Sequence, residues 1–318
     1  MTKTPPPGGS YRLGHRDVAR IGYGAMQLDP AASSTEEAVA VLRRAVELGV
    51  NHLDTASFYS GGEVNRRIQQ ALAPYADDLV IVSKVGARHV VGGPLPLAAA
   101  QKPGELRAAV ESDLSQLGRD QIDVVNLRRL DLGPGLQAEG DQIVDLDDQL
   151  AEMIALRDEG KIGAIGISAV PLDTVARAVP AGIVCVQNAY SLLDRSQEET
   201  LDFCLDNAIA WVPYFPLGSA FPGFPKVSDN AVVQRIANEL AVTTSQVGLA
   251  WLLAHAPNTL LIPGTRSIAH LQENLGTGDV VLSAAQVADL DEIPTELANG
   301  DGVEAFLDEV RTRNGVES

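Results

Sequence analysis

Eight short apolar runs, each followed by a stretch with helical spacing, set the limits on what this chain can fold into. The predicted strands are 21–26, 51–54, 79–84, 123–128, 163–168, 183–188, 209–214 and 259–262. Predicted helices follow them at 35–48, 63–72, 104–117, 146–159, 172–179, 197–207, 230–240 with 245–255, and 268–275. Runs such as Leu79-Val80-Ile81-Val82 are apolar without alternation, the pattern of parallel strands covered on both faces. Eight βα units in 318 residues imply one α/β domain, a (β/α)8 TIM barrel, rather than two domains. The residue pattern adds an N-terminal β-hairpin at 11–21 and extra C-terminal helices at 284–293 and 303–312. The domain is expected to cover 11–318, after a loose, disordered Pro/Gly-rich tail at 1–10 that lacks the apolar centre of a signal peptide. A doubly wound open sheet is the alternative, but Gly22-Tyr23-Gly24-Ala25 lacks the third glycine of a dinucleotide fingerprint and runs into a loop.

The formal net charge of −18 argues against general affinity for nucleic acid or anionic membranes. No apolar run approaches the roughly 18 residues that a membrane span needs. Cys185 and Cys204 sit in apolar runs without metal-ligand spacing, so two buried free thiols and a cytoplasmic location are expected. The partner expected is a small molecule, and a monomer or weak oligomer is ordinary for the fold.

Charged residues stand where strands end. Asp54, Lys84 and Arg128 close predicted strands two, three and four, and Tyr59 lies five residues beyond Asp54. In a barrel, these ends share the face that carries active sites. On their own, Asp54 and Tyr59 read equally well as a helix cap and a half-buried phenol. Together with Lys84 they suggest more. An unperturbed phenol has a pKa of about 10, and an adjacent ammonium lowers it towards useful acidity. That suits proton delivery to an alkoxide forming from a carbonyl. Three long connections, 85–103, 129–145 and 216–229, rise on the same face, and Phe221 and Phe224 in the last of them are candidate pocket walls.

Seven motifs in order then resemble one family. They are Asp54-Thr55-Ala56 with Tyr59, Ser83-Lys84-Val85-Gly86, the strand from Ile122 to Leu127, Ile165-Gly166-Ile167-Ser168, Gln187-Asn188-Ala189-Tyr190-Ser191, Tyr214-Phe215-Pro216-Leu217-Gly218, and Ile262-Pro263-Gly264-Thr265-Arg266 with Glu273-Asn274. This set resembles the aldo-keto reductases over about 12–274. The resemblance implies a (β/α)8 barrel that binds NADPH without a Rossmann fold and reduces a small-molecule carbonyl. It implies Tyr59 as proton donor, with Lys84 and Asp54 as its tuning pair. Tyr214 would stack on the nicotinamide, with Ser168 and Gln187 on its carboxamide. Leu217 and Ser219 would line the pyrophosphate, and Gly24 and Met26, beside Asp54, the ribose side. Gly264, Thr265, Arg266 and His270 would take the 2′-phosphate, and Glu273 and Asn274 the adenine. Arg266 ahead of a helix N-terminus suits a dianion on independent grounds.

The chain departs from the family pattern at three positions. Arg128 stands where the family usually has His, Ala169 where it usually has Asn, and Asn65 where it often has Glu. Arginine keeps its proton near neutrality, so Arg128 offers charge and hydrogen bonds to a substrate oxygen or anionic group, and Tyr59 alone supplies the proton. The other reading of Arg128 is an ion pair with Asp131 outside the pocket. Pyridoxal-type aldehydes are one substrate class the resemblance suggests, with sugar or secondary-metabolite ketones equally open. A cofactor-binding regulatory protein is the alternative to an enzyme. His52 and His89 are the imidazoles to check for a catalytic role.

Overall fold

The computed structural model describes residues 5–91, 96–132, 136–218 and 225–295, together with Asp308 and Thr312. The chain starts with a hairpin, β1 (Ser10–Leu13) and β2 (Arg16–Ala19), paired antiparallel. There follow β3 (Tyr23–Gly24), α1 (Thr35–Glu47), β4 (His52–Asp54), α2 (Glu63–Leu72) and β5 (Val80–Val85). The connection after β5 is not plain loop, as predicted, but carries a second hairpin, β6 (Ala87–His89) with β7 (Leu97–Ala99). Then come α3 (Pro103–Leu117), β8 (Ile122–Arg128), α4 (Leu146–Asp158), β9 (Ile162–Ser168) and α5 (Leu172–Ala178). The described chain finishes with β10 (Ile183–Gln187), α6 (Glu198–Asp206), β11 (Ala210–Trp211), α7 (Ala231–Leu240), α8 (Thr244–His255), α9 (Ile268–Gly276) and α10 (Ala284–Asp291). The helix expected at 303–312 and the loop residues Ser219, Phe221 and Phe224 lie outside the described residues.

Seven strands form one parallel sheet in the order β11-β10-β9-β8-β5-β4-β3. The eighth predicted strand, 259–262, closes it through single bridges rather than an extended ladder. Leu261 bridges Ile21 on one side and Thr259 bridges Trp211 on the other. The backbone bonds Gly22 N to Leu261 O (2.8 Å) and Leu260 N to Trp211 O (2.8 Å) seal both edges. The sheet therefore closes on itself as a barrel, with the helices outside it.

Strand periodicity decides what each side chain faces. In β5, Val80 and Val82 join the inner cluster with Val124, Ala164, Cys185 and Ala210, whereas Ile81 and Val85 join the larger cluster under the helices. Leu13 and Val18 of the hairpin belong to the inner cluster too, so the hairpin plugs the barrel floor. The segment expected to be a loose tail is engaged from Pro6 onward: the carbonyls of Pro7 and Gly9 accept bonds from Ile21 N (3.1 Å) and Arg20 N (2.9 Å). Among the described residues, no helix is long and apolar enough to cross a membrane.

Gly86 marks where β5 leaves the barrel. Its φ is +107°, and an added Cβ would lie 2.2 Å from the carbonyl oxygen of Arg128. The Gly86 and Arg128 carbonyls also share one donor, Gln101 Nε2, at 2.6 and 2.7 Å. Gly86→Ala is expected to lower the melting temperature, with a cost of about 1–3 kcal/mol from the disfavoured φ alone. Thermal unfolding followed by circular dichroism checks this.

Candidate active site

The same parity that puts Val80 and Val82 inside puts Lys84 inside, one pleat higher. By that count His52 and Asp54 of β4, Asn126 and Arg128 of β8, Ser168 of β9 and Gln187 of β10 also face the interior. Tyr214, two pleats beyond inward Ala210, follows them through a bridge to Ala189. Gly166 leaves space in this layer, since a Cβ there would meet Asn126 Oδ1 at 2.1 Å and Cys185 Sγ at 2.6 Å. The predicted residues from several strands thus converge on the C-terminal mouth.

Lys84 is the hub. It is buried, and its Nζ donates to Asp54 Oδ1, to the Thr55 carbonyl at 2.9 Å and to the Tyr59 hydroxyl at 3.2 Å. Burial works against its charge, but Asp54 and Tyr59 outweigh burial and hold its pKa above the ordinary lysine value. An ammonium has three N–H donors, and here three acceptors take them. The Tyr59 oxygen therefore accepts from Lys84, which leaves the Tyr59 O–H to point elsewhere. Tyr59 opens a 3-10 turn (Tyr59–Gly62), and its ring meets Phe58 edge to face at 5.3 Å. Asp54 is held on its other oxygen by Gln187 Nε2 at 2.7 Å. Gln187 Oε1 is buried and has no hydrogen-bond partner.

Arg128 is half-buried, with its guanidinium carbon 5.7 Å from the centroid of the Phe58 ring. Burial lowers its pKa, while Tyr214 and Tyr59 act in the other direction, and it keeps its charge. Among the described residues, no carboxylate forms an ion pair with it. The Asp131 carboxylate goes instead to Arg129, whose Nε donates to it at 2.8 Å and whose Nη1 donates to Gln149 at 2.5 Å. Of the two adjacent arginines, the second is therefore the structural one.

The two candidate imidazoles stand apart from this chemistry. His52 is fully enclosed below Asp54 with both ring nitrogens unpartnered, and burial pushes its pKa down to about 4. Its ring occupies the space that Gly22 leaves, 2.3 Å from where a Cβ would stand. His89 is exposed on β6.

The remaining predicted residues form a track away from Lys84. Gly24 pairs with Asp54 in register, and Met26 beyond it is exposed. Cβ atoms at Gly24 and Gly264 would each strike the other segment's backbone, at 2.5 Å from Ile262 O and 2.7 Å from Gly24 O, so the two chains touch through glycine alone. Leu217 packs half-buried beside Gly248. Thr265 is buried, its carbonyl accepting from the Tyr23 hydroxyl and its Oγ1 from Ser267 N at 3.1 Å. Arg266 is exposed and donates to the Ala32 carbonyl at 2.6 Å. Ser267 caps α9, accepting from the His270 backbone, and the Glu273 carbonyl accepts from Gln246 while Asn274 is half-buried. Sequence reasoning missed Phe58, the Thr55 carbonyl and the Gln187–Asp54 bond. A backbone acceptor leaves no residue-type signal, and the amide bond requires two strand ends to meet.

A barrel whose mouth joins a phenol, an ammonium and a carboxylate in this way defines an oxidoreductase class, and comparison with known proteins identifies it. The Aldo/keto reductase family matches residues 20–294, and the chain belongs to that family. Pyridoxine 4-dehydrogenase of Escherichia coli is 41% identical over 294 residues, covering 90% of this chain and 99% of that protein. An uncharacterized oxidoreductase of Schizosaccharomyces pombe is 33% identical, covering 89% of each chain. The crystal structure of an aldo/keto reductase from Klebsiella pneumoniae with NADP and acetate superposes with a TM-score of 0.74 at 26% identity, covering 91% of this chain and 97% of that one. The protein is thus an oxidoreductase acting on carbonyl groups.

His52 gives a test of the interior. Its folded pKa lies below the unfolded value of 6.5, so the unfolded chain takes up a proton that the folded chain refuses as pH falls. Stability from this residue is present above about pH 6.5 and is lost towards pH 4. His52→Leu is expected to flatten that decline, as read from denaturant midpoints across the window.

Proposed function

We propose that this chain is an NADPH-dependent carbonyl reductase in which Tyr59 gives its proton to the substrate oxygen, with pyridoxal-type aldehydes as the substrate class. The observation that carries the reading is the buried Lys84 ammonium, fixed by Asp54 and set 3.2 Å from the Tyr59 hydroxyl. The three donors of Lys84 are spoken for, so the phenolic proton is the one available at the mouth. As it leaves, the ammonium faces the new phenolate and stabilises it, with little reorganisation because Asp54 and the Thr55 carbonyl already hold Nζ.

The residues present fit the dinucleotide. Gln187 Oε1 is a buried acceptor without a donor, suited to an amide N–H, and inward-facing Ser168 stands one strand away in register. Tyr214 offers an aromatic face, and Gly24 beside Asp54 admits a close backbone approach. Arg266, the His270 side of the α9 N-terminus and Thr265 collect positive charge and N–H donors where a 2′-phosphate would be held. The family resemblance assigns Leu217 to the pyrophosphate, with Ser219, which lies outside the described residues, and assigns Met26 to the ribose and Glu273 and Asn274 to the adenine. When bound, the reduced nicotinamide supplies the hydride.

Arg128 replaces the imidazole of the family pattern with a permanent cation, and its place over Phe58 beside Tyr59 suits a substrate oxygen or anionic group. The pyridoxine 4-dehydrogenase likeness makes pyridoxal the first aldehyde to test. NADPH oxidation with pyridoxal and a panel of simpler aldehydes and ketones should show turnover, and Tyr59→Phe should remove it. Binding of NADPH with no turnover across the panel overturns the enzyme reading and leaves a regulatory one. Arg128→Gln is expected to lower kcat/KM by about 100-fold through loss of a charge-assisted contact, with NADPH affinity unchanged.

Ala169 adds a second test. It is buried with φ at +56°, a left-handed conformation that asparagine tolerates better than alanine. Ala169→Asn should therefore relax the backbone and supply a polar group beside Ser168. The expected result is a higher melting temperature and a lower Kd for NADPH by fluorescence titration.

A further inference from the structure

The parity that turns Asp54 and Lys84 into the barrel turns their neighbours Thr55 and Ser83 out, towards α2 and α3. There they meet a closed hydrogen-bonded chain. Thr55 Oγ1 donates to Asn65 Oδ1 at 2.7 Å, Asn65 Nδ2 donates to Asp113 Oδ1 at 2.6 Å, and Ser83 Oγ donates to Asp113 Oδ2 at 2.6 Å. All four side chains are fully buried. The chain thus joins the residue after Asp54 to the residue before Lys84, by way of two helices. Its Thr55 end also supplies the carbonyl that accepts from Lys84 Nζ. The carboxylate that the family pattern often puts at position 65 is here on the facing helix, with the amide in its place.

We propose that Asp113 and Asn65 are positioning residues for proton transfer: they act through Ser83 and Thr55 to fix Lys84 against Tyr59 from behind the barrel wall. The inference rests on the reading of Tyr59 as proton donor. Helix packing alone does not call for a carboxyl here, since burying one is costly and apolar side chains fill such seams more cheaply. Burial raises the Asp113 pKa to about 7, against the hydrogen bonds from Ser83 and Asn65 and the charge of Lys84. Lys84 is the charged group that acts on it, and among the described residues α4 and β8 add none. The other elements around it present uncharged groups: Asn65 from α2, Ser83 from β5, Thr55 beyond β4, and Gln116 of α3, which accepts from Asn65 at 3.1 Å. Both Asp113 oxygens accept hydrogen bonds, the pattern of the ionised form. Protonation removes one acceptor and withdraws the negative charge behind Lys84, so the placement of Lys84 follows the state of Asp113. His52 is held near 4, away from neutrality, so the Asp113→Asn variant is what ties a kinetic limb close to neutrality to Asp113.

The test is the single-turnover rate of hydride transfer from NADPH to 4-nitrobenzaldehyde, followed by NADPH absorbance between about pH 6 and 8.5, the span in which a shifted carboxyl of this kind titrates. Three proteins are compared: the parent, Asp113→Asn, and the exchanged pair Asn65→Asp with Asp113→Asn. The parent rate should fall on the acid side through about pH 7. Asp113→Asn should be about tenfold slower at the alkaline end and lose the limb, a loss in the range that small misplacements of catalytic groups cause. The exchanged pair returns the carboxylate to the same hydrogen-bonded chain and should recover both rate and limb. NADPH affinity should not move in any of them. Parent rate and parent profile in Asp113→Asn overturn the proposal, as does an exchanged pair that recovers the melting temperature but not the rate. If Asp113→Asn fails to fold, the exchanged pair alone decides by the same criterion. A parent protein without turnover overturns the reductase reading itself, whereas turnover indifferent to both variants overturns only this inference.

Discussion

Everything at the mouth of this barrel is referred to one buried ammonium. Lys84 is buried, so its charge persists because Asp54, the Thr55 carbonyl and the Tyr59 hydroxyl give it fixed acceptors. All three acceptors come from the one stretch 54–59, which the pairing of β4 with β5 sets against Lys84. Asp54 is in turn held by Gln187, from a strand four places away around the wall, which ties the charge pair to the far side of the barrel. A phenol placed against such a centre has its oxygen oriented before any substrate arrives.

The second constraint is arithmetic. A parallel strand alternates faces, so the residues at the C-terminal ends of β4, β5, β8, β9 and β10 turn inward or outward according to their count from the barrel floor. The inward set faces the mouth, and the outward set, Thr55 and Ser83, meets the helices. Insertion of one residue in β5 would exchange Ser83 and Lys84, sending the ammonium into the helix layer and a hydroxyl into the site. Glycines at 22, 24, 166 and 264 serve the same geometry from the other side, each giving up a side chain where a ring, a backbone or an amide must approach.

Much of this was legible in the residues alone. The eight apolar runs marked the barrel, and Asp54, Lys84 and Arg128 at successive strand ends marked its mouth. The limits were physical as well. The strand at 259–262 read like the others, yet it is joined by isolated bridges, because ladder length depends on the curvature of neighbours that a pattern does not record. The hairpin of β6 and β7 looks like loop in the sequence, since its strands are three residues each and one is largely alanine. Arg128 and Arg129 were indistinguishable by type, and only the position of Asp131 and Gln149 separates the structural arginine from the one at the pocket. The buried Asp113 lay in an ordinary helical pattern, where a lone acid looks like a solvated surface residue.

The way the barrel closes has a consequence for its endurance. A cylinder parts first along its weakest join, and the join here is the stretch at 258–262, stitched to its neighbours by few bonds. That stretch leads straight into the turn at 263–267 and the capped start of α9. A molecule gripping that turn and Gly24 together would lace the seam shut from above, so that occupancy of the site and integrity of the wall become one mechanical property.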